Sequence, residues 1–370
     1  MAEQESAGRG GRKPATLADV ARLAGVSQQT VSRVVTGQGS VAARTRRRVD
    51  EAVTQLNYVP NRLAQGLARQ RSYSVGFATN DISLHAPSQL TSGIERAARE
   101  QGYSLVVSIV ADYGLNPVLR TLRALRERQV DGLLINASLS SADAQEVRTR
   151  FADVPCVFLD VPPATDVHAA LLDHSHGATL AATHLLDLGH TRIAFLHEPG
   201  SAVAEHSRLQ AWTDALATRG LGPVARQEGD WSPASGYVAT LRLLAEGTPF
   251  TGLLVANDQM ALGALRALWE RGLSVPQDVS VVGYDDTAES ALLIPPLTTV
   301  RQDFPTLGQR AFHHLLALLG EGPTSERVTL TRPELVVRVS TAPPPAEGRR
   351  RVQDAIQTLL GHLRTVPHQP

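Results

Sequence analysis

Lysine occurs once in this chain of 370 residues, at Lys13, and cysteine once, at Cys156. One cysteine allows no internal disulfide, and a reducing cytoplasm fits that usage. Aromatic residues are scarce at 4%, and no apolar run approaches the roughly 20 residues that span a bilayer. The opening stretch, MAEQESAGRGGRKP, has no apolar segment of the kind a secretory signal needs. Also missing are a phosphate-cradling P-loop, a GxGxxG following a strand, and a nucleophile elbow. The histidine pairs, His174 with His176 and His313 with His314, lack cysteine or carboxylate at zinc-ligand spacing. The expectation is a soluble, non-membrane, cytoplasmic chain that is not an enzyme and carries neither metal nor cofactor.

Charge is balanced overall, with 36 basic and 36 acidic side chains, but unevenly placed. Residues 1–72 carry twelve basic groups, eleven of them Arg, against five acidic ones, a net of +7. The remainder carries 24 basic and 31 acidic groups, a net of −7. A small basic head on a larger acidic body suits a DNA-binding domain fused to one that does not touch DNA. Arginine also forks phosphate and guanine bidentately, which lysine does not.

The head contains TLADVARLAGVSQQTVSR, residues 16–33. Leu17, Val20, Ala21 and Ala24 recur at helical spacing, with Thr16 as cap and Asp19 as its capping-box partner. Gly25 supplies a turn, and Ser27 caps a second helix that turns Val31, Val34 and Val35 inward. Its outer face carries Gln28, Gln29, Ser32 and Arg33. Two short helices about a glycine turn read as a helix-turn-helix, whose second helix enters the major groove. There Gln can pair with adenine and Arg with guanine. Val49, Ala52, Val53 and Leu56 predict a third helix that closes a small core, ended by Pro60. The segment RLAQGLAR after Asn61 is helical in pattern but too short to hold alone in water.

From Ser74 the chain alternates apolar, strand-like runs with helical intervals. The runs are 74–79, 105–110, 132–136, 156–160, 169–173, 192–198, 252–257 and 279–286. The helical intervals are 87–101, 115–129, 177–188, 206–219, 234–246 and 259–272. Alternation of this kind predicts parallel sheets with helices on both faces, and the length favours two α/β lobes. Such sheets bind ligands at the carboxyl ends of their strands. Asn136, Asp160, Asn257, Asp258, Asp285 and Asp286 all stand at such ends, a set suited to a polyhydroxylated ligand. Trp231, in the polar loop EGDWSPASG, can stack on a sugar ring. A Pro-rich linker then leads to Val352, Ile356, Leu359 and Leu363, spaced as a coiled-coil seam.

With these motifs the chain resembles the lactose repressor family of bacterial transcriptional regulators, from Ala15 to about Thr341. The specific segments are the head motif, LNYVPNRLAQGLA (56–68), LHAPSQ (84–89), FLDV (158–161), VANDQMALGA (255–264), SVVGYDDT (280–287) and IPPLTTVRQDF (294–304). The resemblance implies a disordered basic arm (1–13), an all-α helix-turn-helix head (14–60) and a hinge helix (61–72). A two-lobed, periplasmic-binding-protein-like α/β core follows (73–340), its lobes crossed near 172 and 301. A linker (341–348) and a C-terminal amphipathic oligomerisation helix (349–364) complete the chain.

By the same resemblance Leu17, Gln28, Gln29 and Arg33 meet the operator major groove, with Thr30, Ser32 and Thr45 near phosphates and Ser27 also at the DNA interface. Tyr58 and Asn61 join that interface, and Leu67 wedges into the minor groove. Arg208, Asn257 and Asp285 bond sugar hydroxyls, assisted by Asn136 and Asp160, with Trp231 beneath the ring. Leu84, Ala86, Leu90, Leu159, Leu172 and Phe304 form apolar walls, and Gln302 lies at the lobe crossover. The implied partners are double-stranded operator DNA, a galactoside effector and further copies of the chain, as dimers paired into tetramers.

Some residues depart from the family's namesake. Gln28 replaces a recognition-helix Tyr, Leu172 an aromatic wall residue, Asn80 a Ser, and Glu95 a Lys. The operator sequence and the sugar's substituent are therefore left open. Two other readings stay open at the level of sequence: a regulator tightened onto DNA by its ligand, and a sugar-binding transport protein. Deleting residues 349–370 is expected to leave dimers that bind one operator, where sedimentation of the full chain gives tetramers. A full-length protein that already sediments as a dimer overturns the tail's assigned role.

Overall fold

The eight apolar runs become eight strands of two six-stranded sheets, seven of them inner and one, 105–110, at an edge. The computed structural model describes residues 15–35, 40–58, 71–199, 208–322 and 326–346. Two compact units meet at the Ser72–Tyr73 bond. The basic arm, Asn61, Leu67, nearly all of the hinge segment, and the tail with Val352, Ile356, Leu359 and Leu363 lie outside the described residues. Among the described residues no helix is long and apolar enough to cross a membrane.

The first unit holds α1 (Leu17–Ala24), α2 (Gln28–Val35) and α3 (Ala43–Gln55). Both halves of the expected capping box form, with Asp19 N donating to Thr16 Oγ1 and Thr16 N to Asp19 Oδ2. Gly25 takes the left-handed conformation at φ 60°, which a residue with a side chain adopts only at a cost. Arg48 of α3 donates to the carbonyls of Ala24 and Gly25, so the third helix caps the end of the first. Val20, Val31, Val34 and Val49 are buried in the common core.

In the second unit, sheet one contains β1 (Ser74–Thr79), β2 (Ser104–Ile109), β3 (Gly132–Asn136), β4 (Cys156–Phe158), β5 (Ala169–Leu172) and β11 (Val328–Thr331). Their order is β11-β5-β4-β3-β1-β2, and every pairing is parallel. Helices α4 (His85–Glu100), α5 (Leu115–Glu127), α6 (Ser141–Arg150) and α11 (Phe304–Leu318) belong to this lobe. Leu133 and Ile135 face one hydrophobic core and Leu134 the other, so β3 is apolar throughout because both faces are covered. Gly93 of α4 and Gly308 of α11 lie where a Cβ would strike the other helix's backbone, which draws α11 tightly onto α4.

Sheet two contains β6 (Ile193–His197), β7 (Ala225–Glu228), β8 (Gly252–Val255), β9 (Ser280–Asp285), β10 (Thr298–Arg301) and β12 (Glu334–Val336). The order is β12-β10-β9-β8-β6-β7. Helices α7 (His174–Asp187), α8 (Arg208–Ala217), α9 (Pro233–Ala245) and α10 (Asp258–Glu270) complete the second lobe. One edge corrects the expectation of purely parallel sheets, because β12 runs antiparallel to β10. The cause is the connection. Strand β11 ends at the cleft edge of sheet one, only Arg332 and Pro333 follow, and β12 must therefore start at the cleft and run away from it. This is a third passage between lobes, beyond those near 172 and 301.

A histidine pair, His314 buried and His168 half-buried, sits in the first lobe. Nδ1 of His168, just before β5, lies 3.2 Å from Nε2 of His314 on α11. Burial lowers the His314 pKa from its usual 6.5 to about 4, and His168 beside it pushes in the same direction. Between those values the unfolded chain holds a proton that the folded one refuses, so stability falls as pH drops from 6.5 to 4. Denaturant melts across that window are expected to show a flatter pH dependence for His314→Leu than for the native chain; parallel curves would show that this pair does not titrate on unfolding.

Candidate functional site

Because parallel strands end at a common edge, the carboxyl ends of the two sheets face one another across a cavity of about 560 Å³. Leu84, Ala86, Leu90, Leu159, Leu172 and Phe304 line it from the first lobe, together with Asn136 and Asp160. Arg208, Trp231, Asn257 and Asp285 line it from the second. Gln302 does not reach the wall. It is buried at the crossover after β10 and donates through Nε2 to Asp285 Oδ1 at 2.7 Å.

Arg208 opens α8 and is itself nearly buried. Its guanidinium lies 4.1 Å from the Tyr284 ring centroid and 5.2 Å from that of Trp231. Nη1 donates to the Ala256 carbonyl at 2.8 Å, and Nη2 stands 3.9 Å from Asp285 Oδ1. Sandwiched between two rings and a backbone acceptor, the cation is oriented before anything binds. Its Nε–H is buried and has no partner among the described residues.

Asp285 ends β9 with φ 118°, and Asp286 follows at φ 54°. Non-glycine residues in such conformations cost of order 1–3 kcal/mol each. The strain is offset by the groups around it. Buried Asp258 accepts from Ser290 Oγ and Thr299 Oγ1 at 2.6 Å and from Thr287 N at 3.0 Å, which pins the turn after Asp286. Asp286 pairs with Arg301 at 2.7 Å and also with Arg338. Burial raises the Asp285 pKa to about 7; Asp258 adds to the rise, while Arg208 and Gln302 oppose it. A carboxyl held near neutrality in a cleft is common at binding and catalytic sites.

Asn257 caps α10 through Oδ1, accepting from Met260 N at 2.8 Å, and its Nδ2 donates to the Trp231 carbonyl at 3.0 Å. It thus fixes Trp231, whose φ is 76°. Across the cavity Trp231 Nε1 donates to Tyr113 Oη at 3.3 Å, and His85 N donates to Gln259 Oε1 at 3.1 Å. These two bonds join the lobes. Asn136 Nδ2 donates to Thr79 Oγ1 at 3.0 Å, which turns its carbonyl oxygen toward other partners.

Sequence reasoning missed Tyr113, His174, Gln259 and Glu198, all of them on the cavity wall. Glu198 closes the run 192–198 and stands at a strand end like the residues that were selected, so the same rule points to it. Tyr113 and Gln259 have no comparable signal, since they come from a loop and a helix start. Among the described residues no group of three or more His, Cys, Asp or Glu is placed to hold a metal ion.

In the head, Gln28, Gln29, Arg33 and Ser27 are exposed, and Leu17, Thr30, Ser32 and Thr45 are half-buried. Ser27 Oγ accepts from Thr30 N at 3.1 Å, so the second helix is capped as expected. Tyr58 also has a place in the head's core. It is 9% exposed and packs among Val20, Val49 and Ala52, a placement that serves the core of a very small domain.

The comparisons agree with both parts of this architecture. The profile for bacterial regulatory proteins of the lacI family matches residues 16–61, and that for a periplasmic binding protein-like domain matches residues 182–341. The lactose operon repressor of Escherichia coli (strain K12) is 46% identical over 332 residues, covering 90% of this chain and 92% of the relative. This chain belongs to the LacI family. The Lac repressor dimer bound to operator and the anti-inducer ONPF superposes with a TM-score of 0.84 at 45% identity, covering 89% of this chain and all of that one. The Lac repressor bound to ONPG in the repressed state gives 0.83 at the same identity and coverage. As a LacI-family member the chain is a DNA-binding transcriptional regulator and not an enzyme. A transport role is thereby set aside.

Proposed function

We propose that this LacI-family chain is a cytoplasmic repressor that leaves its operator when a galactoside enters the cavity. The observation that carries the effector side is the stacked Arg208, facing Asp285 in a cavity that also holds Trp231 and Asn257. A guanidinium with an unused donor, a carboxylate and an aromatic face are what a sugar ring with hydroxyls on its edge requires. Asn136 and Asp160 add polar contacts, and Leu84, Ala86, Leu90, Leu159, Leu172 and Phe304 enclose the sugar's substituent. Gln302 acts through Asp285. The relative at 46% identity is named a lactose operon repressor, which supports a β-galactoside as the first ligand to try.

On the DNA side, Gln28, Gln29 and Arg33 read base edges, with Leu17 beside them and Ser27, Thr30, Ser32 and Thr45 toward phosphates. Asn61 and Leu67 extend this reading into the minor groove, where Leu67 pries a base step apart. Dimers place two heads on a pseudo-palindromic site, and the tail pairs dimers into tetramers. The sugar shifts the equilibrium only by its preference for the low-affinity conformation, and couplings of this kind are ~1–3 kcal/mol.

Fluorescence anisotropy with a lac-type operator, with and without a β-galactoside, tests the whole reading. Tight binding released by the sugar is the expected result; binding that tightens on sugar addition makes the ligand a corepressor. Arg208→Ala is expected to bind operator and lose release, and retained release would remove Arg208 from the effector site. Asp285 accepts hydroxyl donors best when ionised, and its pKa stands at about 7. Galactoside affinity is therefore expected to fall as pH is lowered from 8 to 6, and a flat titration profile would show that Asp285 does not bear on the ligand.

A further inference from the structure

Glu198 has no role in the reading above. It follows β6, lines the cavity and is only 5% exposed. Its Oε1 accepts from Leu209 N at 3.2 Å, which secures the first turn of α8 just beyond Arg208. Its Oε2 is buried and has no partner among the described residues. A buried acceptor left unmade costs free energy that a ligand can recover by supplying the donor. The wall around it is acidic. Asp81, Asp112, Asp160, Asp230 and Asp285 also line the cavity, where Arg208 is the one Arg or Lys among the described lining residues. Asp81 and Asp230 each accept through Oδ1, from Ser83 N and Ser232 N at 2.9 Å, and are exposed to solvent. Glu198 is not.

We propose that Glu198 is a specificity-determining residue of the effector cavity, its Oε2 accepting a hydrogen bond from an O–H or N–H donor on the ligand. The proposal rests on the effector reading above and adds to it what the ligand must carry. A hydroxyl can both donate to Glu198 Oε2 and accept from a donor such as the unused Arg208 Nε–H; an ammonium can only donate, but gains from the acidic wall.

The competing role is that of a helix cap alone, and Glu198→Gln separates the two. The amide keeps an oxygen for Leu209 N while presenting N–H groups where Oε2 stood. Calorimetric titration of the full-length protein with methyl β-D-galactoside and with D-galactosamine reads the result. Glu198→Gln is expected to weaken binding about tenfold or more. A loss for the neutral galactoside identifies a hydroxyl donor, and a loss confined to galactosamine identifies an ammonium. Unchanged affinity for both sugars would leave Glu198 a cap and overturn the proposal. If the native chain binds neither sugar, the effector reading fails first and this proposal with it. Should Glu198→Gln not fold, Glu198→Asp keeps the charge but withdraws it by one methylene, and the same loss is expected.

Discussion

Parallel strands deliver all their carboxyl ends to one edge, and in this chain two such edges face each other. Most of what distinguishes the core depends on that constraint. It sets Asn136, Leu159 and Leu172 opposite Asn257 and Asp285, although they are far apart in sequence. It also dictates that each passage between lobes happens at the cleft, which is why β12 enters sheet two from the wrong end and pairs antiparallel. Three passages at one place make a natural hinge, since few backbone bonds must turn for the lobes to change their angle.

The cavity concentrates unfavourable choices that the surrounding structure sustains. Asp285 is buried, lies in a strained conformation, and has an elevated pKa. Asp258 is a buried carboxylate used entirely to hold the turn beyond it, through two hydroxyls and a backbone N–H. Arg208 gives up hydration for two aromatic faces and a carbonyl. Groups held this way lose little further freedom on binding, which is the physical meaning of preorganisation. The bonds from Trp231 to Tyr113 and from His85 to Gln259 span the same space, so a ligand that displaces either also loosens the lobes.

The head works under a different limit. Three short helices share a core of a few valines and alanines, and that is little apolar surface for independent stability. Local devices supply the difference: a completed capping box at Thr16, a left-handed glycine at the turn, and Arg48 tying α3 to the end of α1. Tyr58 belongs with these. Its ring closes the core of the head.

Periodicity and composition alone determined the helix-turn-helix, the basic head on an acidic body, and all the inner strands but Thr298–Arg301. These are the elements whose side chains alternate or repeat strongly because one or both faces are buried. The strands 225–228, 328–331 and 334–336 escaped notice because they are sheet edges, half-exposed and mixed in polarity, and helix Ser141–Arg150 buries only Ala144 and Val147; Thr298–Arg301 and helix Phe304–Leu318 were missed although both are buried. Strand-end position was enough to nominate Asn136, Asp160, Asn257 and Asp285. What tertiary structure decided was the division of labour among such residues. Gln302 became a support for Asp285, Asp258 an anchor, and Glu198 an acceptor with one oxygen unused. Hydrogen-bond partners, burial and pKa depend on atoms brought together from distant parts of the chain, and local patterns carry no record of them.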